Sequence, residues 1–274
     1  TVDKTLGFKL SSLILNGPES ELKLTKNTQP AIMAIGVSIF NVLKEHFNLN
    51  LSNSKFFAGH SLGEYTALVC AGSLNLEKAA YLLNERGKSM QESVSSKQGA
   101  MLAIIGMTID EVENEINLLP KEGVCEISND NSNMQIVVSG EKNIIENFNE
   151  RLKRKKKKGI LLPVSAPFHC SLMKKAAEYM KKKIEDTIFL KPKPNIISNI
   201  TAKEEPDINR IKPLLIDQIT STVRWRESVN YMIKQGVNEF LEIGPSKVLS
   251  GLVKKINRNV EVRNIDCIED IKND

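Results

Sequence analysis

What most constrains the fold of this chain is a change of rhythm near residue 98. On either side of it short apolar runs alternate with helix-like segments, whereas between 98 and 166 the order becomes strand, helix, strand, strand, helix, strand. Within that block Met101 to Gly106 reads as a strand, and Thr108 with Glu111 forms a capping box that opens a helix to Leu118. Two strands, Val124 to Ser128 and Met134 to Ser139, are predicted to flank a polar turn at Asn129 to Asn133. A helix from Glu141 to Lys157 and a strand from Ile160 to Val164 complete the block. The spacing predicts an inserted ferredoxin-like lobe over residues 98–166.

The flanking parts, 1–97 and 167–274, predict one α/β lobe whose parallel sheet the insert interrupts. Thr28 is expected to cap a helix bearing Ile32, Ile35, Ile39, Leu43 and Phe47, with Pro30 in its first turn. A strand at Lys55 to Ala58 precedes helices at Leu62 to Ala71 and Leu76 to Met90. Beyond the insert, helices are expected at Ser171 to Lys183, Ile208 to Ile219, Trp225 to Lys234 and Lys247 to Ile256. They alternate with strands at Asn195 to Ile200, Glu239 to Ile243 and Val260 to Ile265.

Composition narrows the functional classes. With 41% hydrophobic and 26% charged residues, the chain has the balance of a packed domain and not of a disordered one. It shows neither a membrane-spanning apolar run nor a secretory signal pattern, so a cytoplasmic protein with no membrane contact is expected. Cys70, Cys125, Cys170 and Cys267 are scattered without metal-ligand spacing, and no metal and no cofactor is expected. The net charge of +5 is densest at Arg151, Lys153, Arg154 and Lys155 to Lys158, which reads first as a solvated helix end and second as a surface for an acidic partner. No nucleic-acid signature accompanies it.

The chemistry-bearing motif is Gly59-His60-Ser61-Leu62-Gly63, a G-x-S-x-G sequence between a predicted strand and a predicted helix. The two glycines allow a tight turn that presents the Ser61 hydroxyl, and the Leu62 amide, at a helix start, can donate to an oxyanion. A serine needs a base, and the chain has three histidines. His60 adjoins the serine on the turn and His46 lies near a helix end, which leaves His169, in a proline-broken segment beginning Ser165-Ala166-Pro167-Phe168 at the return from the insert. Arg86, followed by Gly87, reads either as an ordinary surface arginine or as a guanidinium fork for a carboxylate.

Together these motifs resemble the malonyl-coenzyme A:acyl carrier protein transacylase family. The likeness runs from Asn27-Thr28-Gln29-Pro30-Ala31 through Gly63-Glu64-Tyr65, Glu85-Arg86-Gly87 and Ala166-Pro167-Phe168-His169 to Gln218, Val223-Arg224-Trp225 and Glu242-Ile243-Gly244-Pro245. The resemblance implies a hydrolase-like large lobe and a Ser61–His169 dyad without a third carboxylate. It also implies that Arg86 grips the malonyl carboxylate, that the backbone carbonyl of Gln218 orients His169, and that Asn129 and Asn131 lie near the acyl site. Leu62 and Phe168 resemble the malonyl-selective subgroup. Implied partners are malonyl-CoA and an acidic, phosphopantetheinylated acyl carrier protein, in fatty acid biosynthesis, for a monomeric enzyme. Family members carry a first strand and a Gly-Gln-Gly-Ser-Gln loop ahead of the point matching Thr1, so those parts are expected to be missing here. Two other readings stand beside this one: an α/β-hydrolase acting as thioesterase or esterase, whose histidine usually comes late in the chain, and a non-catalytic module that binds a carrier protein.

Overall fold

A computed structural model describes residues 1–47, 51–94, 98–120, 122–164 and 166–271. Three short helices, α1 (Val2–Leu6), α2 (Leu10–Asn16) and α3 (Glu19–Leu22), lead into the long α4 (Thr25–His46). This helix begins earlier than the sequence predicts. Thr28 lies inside it and donates its hydroxyl back to the Leu22 and Leu24 carbonyls (2.5 and 3.1 Å) instead of capping. Pro30 therefore falls in the second turn, where its missing N–H deprives the Lys26 carbonyl of a helical donor. The side-chain amide of Asn84 supplies that donor at 2.8 Å, tying α4 to a later helix.

After β1 (Phe56–Phe57) come α5 (Gly63–Cys70) and α6 (Leu76–Ser93), the latter capped by Asn75, whose Oδ1 accepts the Lys78 amide at 2.7 Å. The next block runs β2 (Gly99–Ile105), α7 (Ile109–Asn117), β3 (Cys125–Ser132), β4 (Gln135–Glu141), α8 (Lys142–Arg154) and β5 (Lys158–Leu161). Its four strands form one antiparallel sheet in the order β3-β4-β2-β5. The capping box of Thr108 and Glu111 is formed at the start of α7. Part of the basic run is tied down within the block: Arg151 and Lys155 pair with Glu115 on α7, and Lys157 with Glu111.

One sequence expectation in this block needs correction. Asn129 to Ser132 are not a turn but the end of β3, and the turn itself is confined to Asn133 and Met134. The register slips between Ile127 and Asn129 and again between Asp130 and Ser132. There the strand meets a segment from the far end of the chain: the Asp130 amide donates to the Val223 carbonyl (3.0 Å) and the Val223 amide to the Ser128 carbonyl (2.9 Å). Asp130 is fully buried and receives Arg226 through Nε at 2.9 and 3.0 Å. A polar run reads as a loop because its partners, which make burial affordable, lie almost a hundred positions away.

Past a 3-10 turn at Ser171–Met173, the chain forms α9 (Lys174–Glu185), β6 (Asn195–Ile197), β7 (Glu204–Glu205), α10 (Ile208–Asp217), α11 (Trp225–Lys234), β8 (Glu239–Ile243), α12 (Val248–Ile256) and β9 (Glu261–Ile265). The expected single sheet is divided among the described residues. β1 pairs in parallel with β6, which pairs antiparallel with β7, while β8 and β9 form a separate parallel pair. The two sheets do not share a hydrogen-bonded ladder; they share an apolar cluster in which Phe56 and Ile197 meet Trp225, Val229, Phe240 and Val262. The result is an α/β fold with mixed sheets. No helix among the described residues is long and apolar enough to cross a membrane.

Candidate active site

Five residues, 58–62, join β1 to α5. Gly59 is required there because a Cβ would lie 2.0 Å from the Gly63 carbonyl oxygen. The second glycine of the motif is a correction to the sequence reading: a Cβ at Gly63 would meet nothing within 4 Å, and the left-handed conformation belongs to Ser61 itself, at φ 53°. A non-glycine residue in that region costs energy and is held there by its surroundings. The holder is Asn199, just beyond β6. Its Oδ1 accepts the Ser61 amide at 2.7 Å, and its Nδ2 donates to the Gly59 carbonyl at 2.8 Å. Leu62 caps α5, so its amide belongs to the helix-start donors that have no acceptor within the helix.

His169, Arg86 and Gln218 converge on Ser61. His169 is 4% exposed and has a left-handed backbone, φ 59°. Its Nδ1–H donates to the Gln218 carbonyl at 2.7 Å, which leaves Nε2 unprotonated to accept the Ser61 hydroxyl at 2.8 Å. Burial first, and then the Arg86 charge, push the imidazole down to about 3, against the opposing pull of the Gln218 bond. Both effects favour the neutral ring, which is the form that can accept the Ser61 proton.

Arg86, on α6, is not a surface residue: it is 1% exposed. Nη1 donates to Gln29 Oε1 at 2.7 Å, while Nη2 donates to Gln218 Oε1 at 2.9 Å and to Ser61 Oγ at 3.2 Å. Among the described residues its partners are amides and a hydroxyl, with no carboxylate in ion-pair contact, and its Nε has no partner. A buried cation without a paired anion is costly unless an anion arrives with a ligand.

Asn131 Oδ1 accepts from His60 Nε2 at 2.8 Å, and the His60 ring packs tilted against Trp225, 5.7 Å between centroids. Asn131 thus reaches the residue beside Ser61. Asn129 instead accepts the Ser128 hydroxyl at 2.9 Å, and it forms no side-chain hydrogen bond with Ser61, His169 or Arg86. His46 is exposed at the end of α4, and Ser165 lies outside the described residues. Three buried residues of this network had no role assigned from sequence: Gln29, Glu64 and Asn199. Gln29 and Glu64 lie inside motifs that carry the family resemblance; Asn199, in a loop, carries no local signal. The one group of potential metal ligands among the described residues, Asp266, Cys267 and Asp270, lies after β9 and takes no part in the Ser61 network.

A hydroxyl bonded to a neutral imidazole, on a helix-start turn and beside a buried guanidinium, is equipped to accept an acyl group and pass it on. The chain belongs to the acyl transferase domain family, whose model matches residues 1–272. It is 42% identical over 261 residues to the malonyl CoA-acyl carrier protein transacylase of Bacillus subtilis (strain 168), across 94% of this chain and 81% of the relative. The Haemophilus influenzae protein of the same description is 38% identical over 264 residues, covering 96% and 84%. Among solved structures, an acyl-carrier-protein-S-malonyltransferase from Bartonella henselae superposes with a TM-score of 0.95 at 41% identity, over 99% of this chain and 87% of that one. A malonyl-transacylase in complex with its type II PKS acyl-carrier protein gives 0.94 at 36% identity, over 99% and 87%.

Proposed function

We propose that this chain transfers the malonyl group of malonyl-CoA to the phosphopantetheine thiol of acyl carrier protein, with Ser61 as nucleophile, His169 as base and Arg86 holding the malonyl carboxylate. The observation that carries this reading is the position of Ser61 Oγ, 2.8 Å from His169 Nε2 and 3.2 Å from Arg86 Nη2. Ser61 Oγ bonds to the thioester carbon as its proton passes to His169. The carbon–sulfur bond breaks, and that proton leaves on the coenzyme A sulfur. In the second half the carrier thiol gives its proton to His169, its sulfur bonds to the acyl carbon, and the proton returns to Ser61 as the ester bond opens.

Arg86 serves twice in this scheme. A carboxylate one methylene beyond the ester carbonyl is within reach of a guanidinium that already touches Ser61 Oγ. Its negative charge also offsets the cation that depresses His169, so a dicarboxylic donor makes the base stronger as it binds. The Leu62 amide is assigned to the oxyanion. Asn131 is assigned to orienting His60, and Asn129 to bracing the bulge of β3. Gln218 orients His169 by its carbonyl.

The division of the chain belongs to the same proposal. The βαββαβ order and the sheet order of residues 98–166 support a ferredoxin-like small subdomain, inserted between parts 1–97 and 167–274 of a hydrolase-like large one. A monomeric, cytoplasmic enzyme fits this activity.

Intact-protein mass after exposure to malonyl-CoA tests the assignment. A single malonyl adduct is expected on Ser61, discharged by holo acyl carrier protein faster than by water, and absent from Ser61→Ala. An adduct that persists on Ser61→Ala rejects the nucleophile, and discharge by water alone makes the chain a thioesterase.

A further inference from the structure

Beneath the elbow lies a carboxylate that the acyl-transfer steps leave unused. Glu64, in the first turn of α5, is 2% exposed. Its Oε2 accepts Gln218 Nε2 at 2.6 Å and the Asn199 backbone amide at 3.2 Å. It forms no ion pair among the described residues; Arg86 from α6 and Tyr65 from its own helix act on it only through space. Burial raises its carboxyl to about 7 despite these bonds. Burying a carboxyl is costly, and the hydrogen bonds it accepts from Gln218 and Asn199 are what offset that cost.

Gln218 is the neighbour that matters. Its carbonyl receives His169, its Oε1 receives Arg86 Nη2, and its Nε2 reaches Glu64 and the Ser61 carbonyl (3.1 Å). A primary amide is nearly symmetric in shape, so packing alone does not decide which end faces the guanidinium. An NH2 turned toward Arg86 would oppose donor to donor and push the guanidinium off Ser61. The Glu64 oxygen can only accept when the group is ionised, and when it is protonated the Asn199 amide still demands an acceptor there. Either way the NH2 of Gln218 is drawn to Glu64, and its Oε1 is left for Arg86.

We propose that Glu64 is a positioning residue for acyl-group selection: by placing an acceptor oxygen under Gln218 it fixes that amide and aims Arg86 at the acyl carboxylate. This rests on Arg86 being the group that holds the malonyl carboxylate. The inference concerns where the oxygen sits and not its charge, and two substitutions pull these apart. Glu64→Gln keeps the length and an acceptor but removes the charge; Glu64→Asp keeps the charge but withdraws the oxygen by one methylene.

The readout is the ratio of kcat/KM for malonyl-CoA to that for acetyl-CoA, in which general damage to Ser61 or His169 cancels. The ratio is expected to fall at least tenfold in Glu64→Asp and to stay within threefold of wild type in Glu64→Gln. Should Glu64→Asp not fold, Glu64→Met, which keeps the length and has no acceptor oxygen, is expected to show the same tenfold loss. A ratio kept in the Asp or Met variant, or changed tenfold in either direction in Glu64→Gln, overturns the proposal. A rise in Glu64→Gln is what through-space repulsion of the acyl carboxylate alone would give. Ser61 failing to take any malonyl adduct in wild type would defeat the reading of the site instead, so the two failures are told apart.

Discussion

The sheet-and-helix block from β2 to β5 and the bed beneath Ser61 are both buried, yet different forces specify them. In the block, Leu102, Ile104, Val112, Ile136, Val138, Ile145, Phe148 and Leu152 are all fully buried and make up one apolar core. Under Ser61 the buried set is Gln29, Glu64, Arg86, His169, Asn199 and Gln218. Apolar burial is proportional to area and forgiving of direction. A hydrogen-bonded network is directional, and each member left unpaired costs more than its bond contributed. The first region should therefore answer substitution with stability, the second with rate.

The largest departure between the two is expected at His169. His169→Ala should slow acylation by about 10²–10⁴-fold, the usual range for a general base, in a protein that still folds. Single-turnover acylation by malonyl-CoA, followed by mass, measures it; a loss under tenfold would remove His169 from the chemistry. The same residue sets a pH signature. Its folded value, about 3, lies below the ordinary imidazole value of 6.5, so the unfolded chain takes the proton first. The stability this contributes is complete above 6.5 and is lost as pH falls toward 3. Acylation by acetyl-CoA should stay level from pH 8 down to about pH 5, since the imidazole remains a free acceptor. Glu64, raised to about 7, titrates in the same window, so a fall centred near 6.5 that persists in Glu64→Gln would mean that the ring is not buried and paired as described.

The block supplies the opposite case. Phe148→Ala empties a fully buried site on α8 and should cost about 3–5 kcal/mol, seen as a lower denaturation midpoint. At a temperature where the variant is folded, its kcat/KM for malonyl transfer should remain within a few-fold of wild type. If rate fell as steeply as stability, the two regions would not be separable and the contrast would fail.

The same contrast explains what was legible in the sequence. The block could be read almost element by element, because its apolar periodicity and its Thr108–Glu111 cap are local signals. Ser61 and His169 were legible through the elbow motif and the scarcity of histidines. Asn199 was not: the sequence reading carried the strand through to Ile200, whereas β6 ends at Ile197, and the role of Asn199 exists only once β6 lies beside β1. The asparagines of β3 were misread as a turn for a similar reason: Val223 and Arg226, which satisfy that strand, are distant in sequence. Arg86 stood between surface and site, and its 1% exposure removes the surface reading. Arg86→Ala should lower malonyl transfer at least tenfold, about 1.4 kcal/mol in transition-state terms, while acetyl transfer holds or improves. Arg86→Lys should recover part of the loss, because a point charge lacks the planar fork. Competition between the two donors checks both variants, and an unchanged malonyl preference in the alanine variant would reject the assignment.

The smallest effect is expected at Gly63. The motif's symmetry suggests that both glycines are needed, but the turn uses them unequally. At Gly59 a methyl group would enter the Gly63 backbone, with contacts of 2.0 Å to the oxygen and 2.1 Å to the carbon, and neither atom can move without displacing Ser61. At Gly63 the methyl group would meet open space at the first residue of α5, where the backbone is already helical. Alanine there reduces the freedom of the unfolded chain and suits a helix better, which is worth about 0.4–1 kcal/mol of added stability. Gly63→Ala should therefore melt slightly higher than wild type, whereas Gly59→Ala should lose acylation or fold poorly. Thermal midpoints and single-turnover acylation of the pair separate the cases. If Gly63→Ala is folded but slow, the open space beside Ser61 is occupied during the reaction, and the methyl group competes with the acyl donor for it.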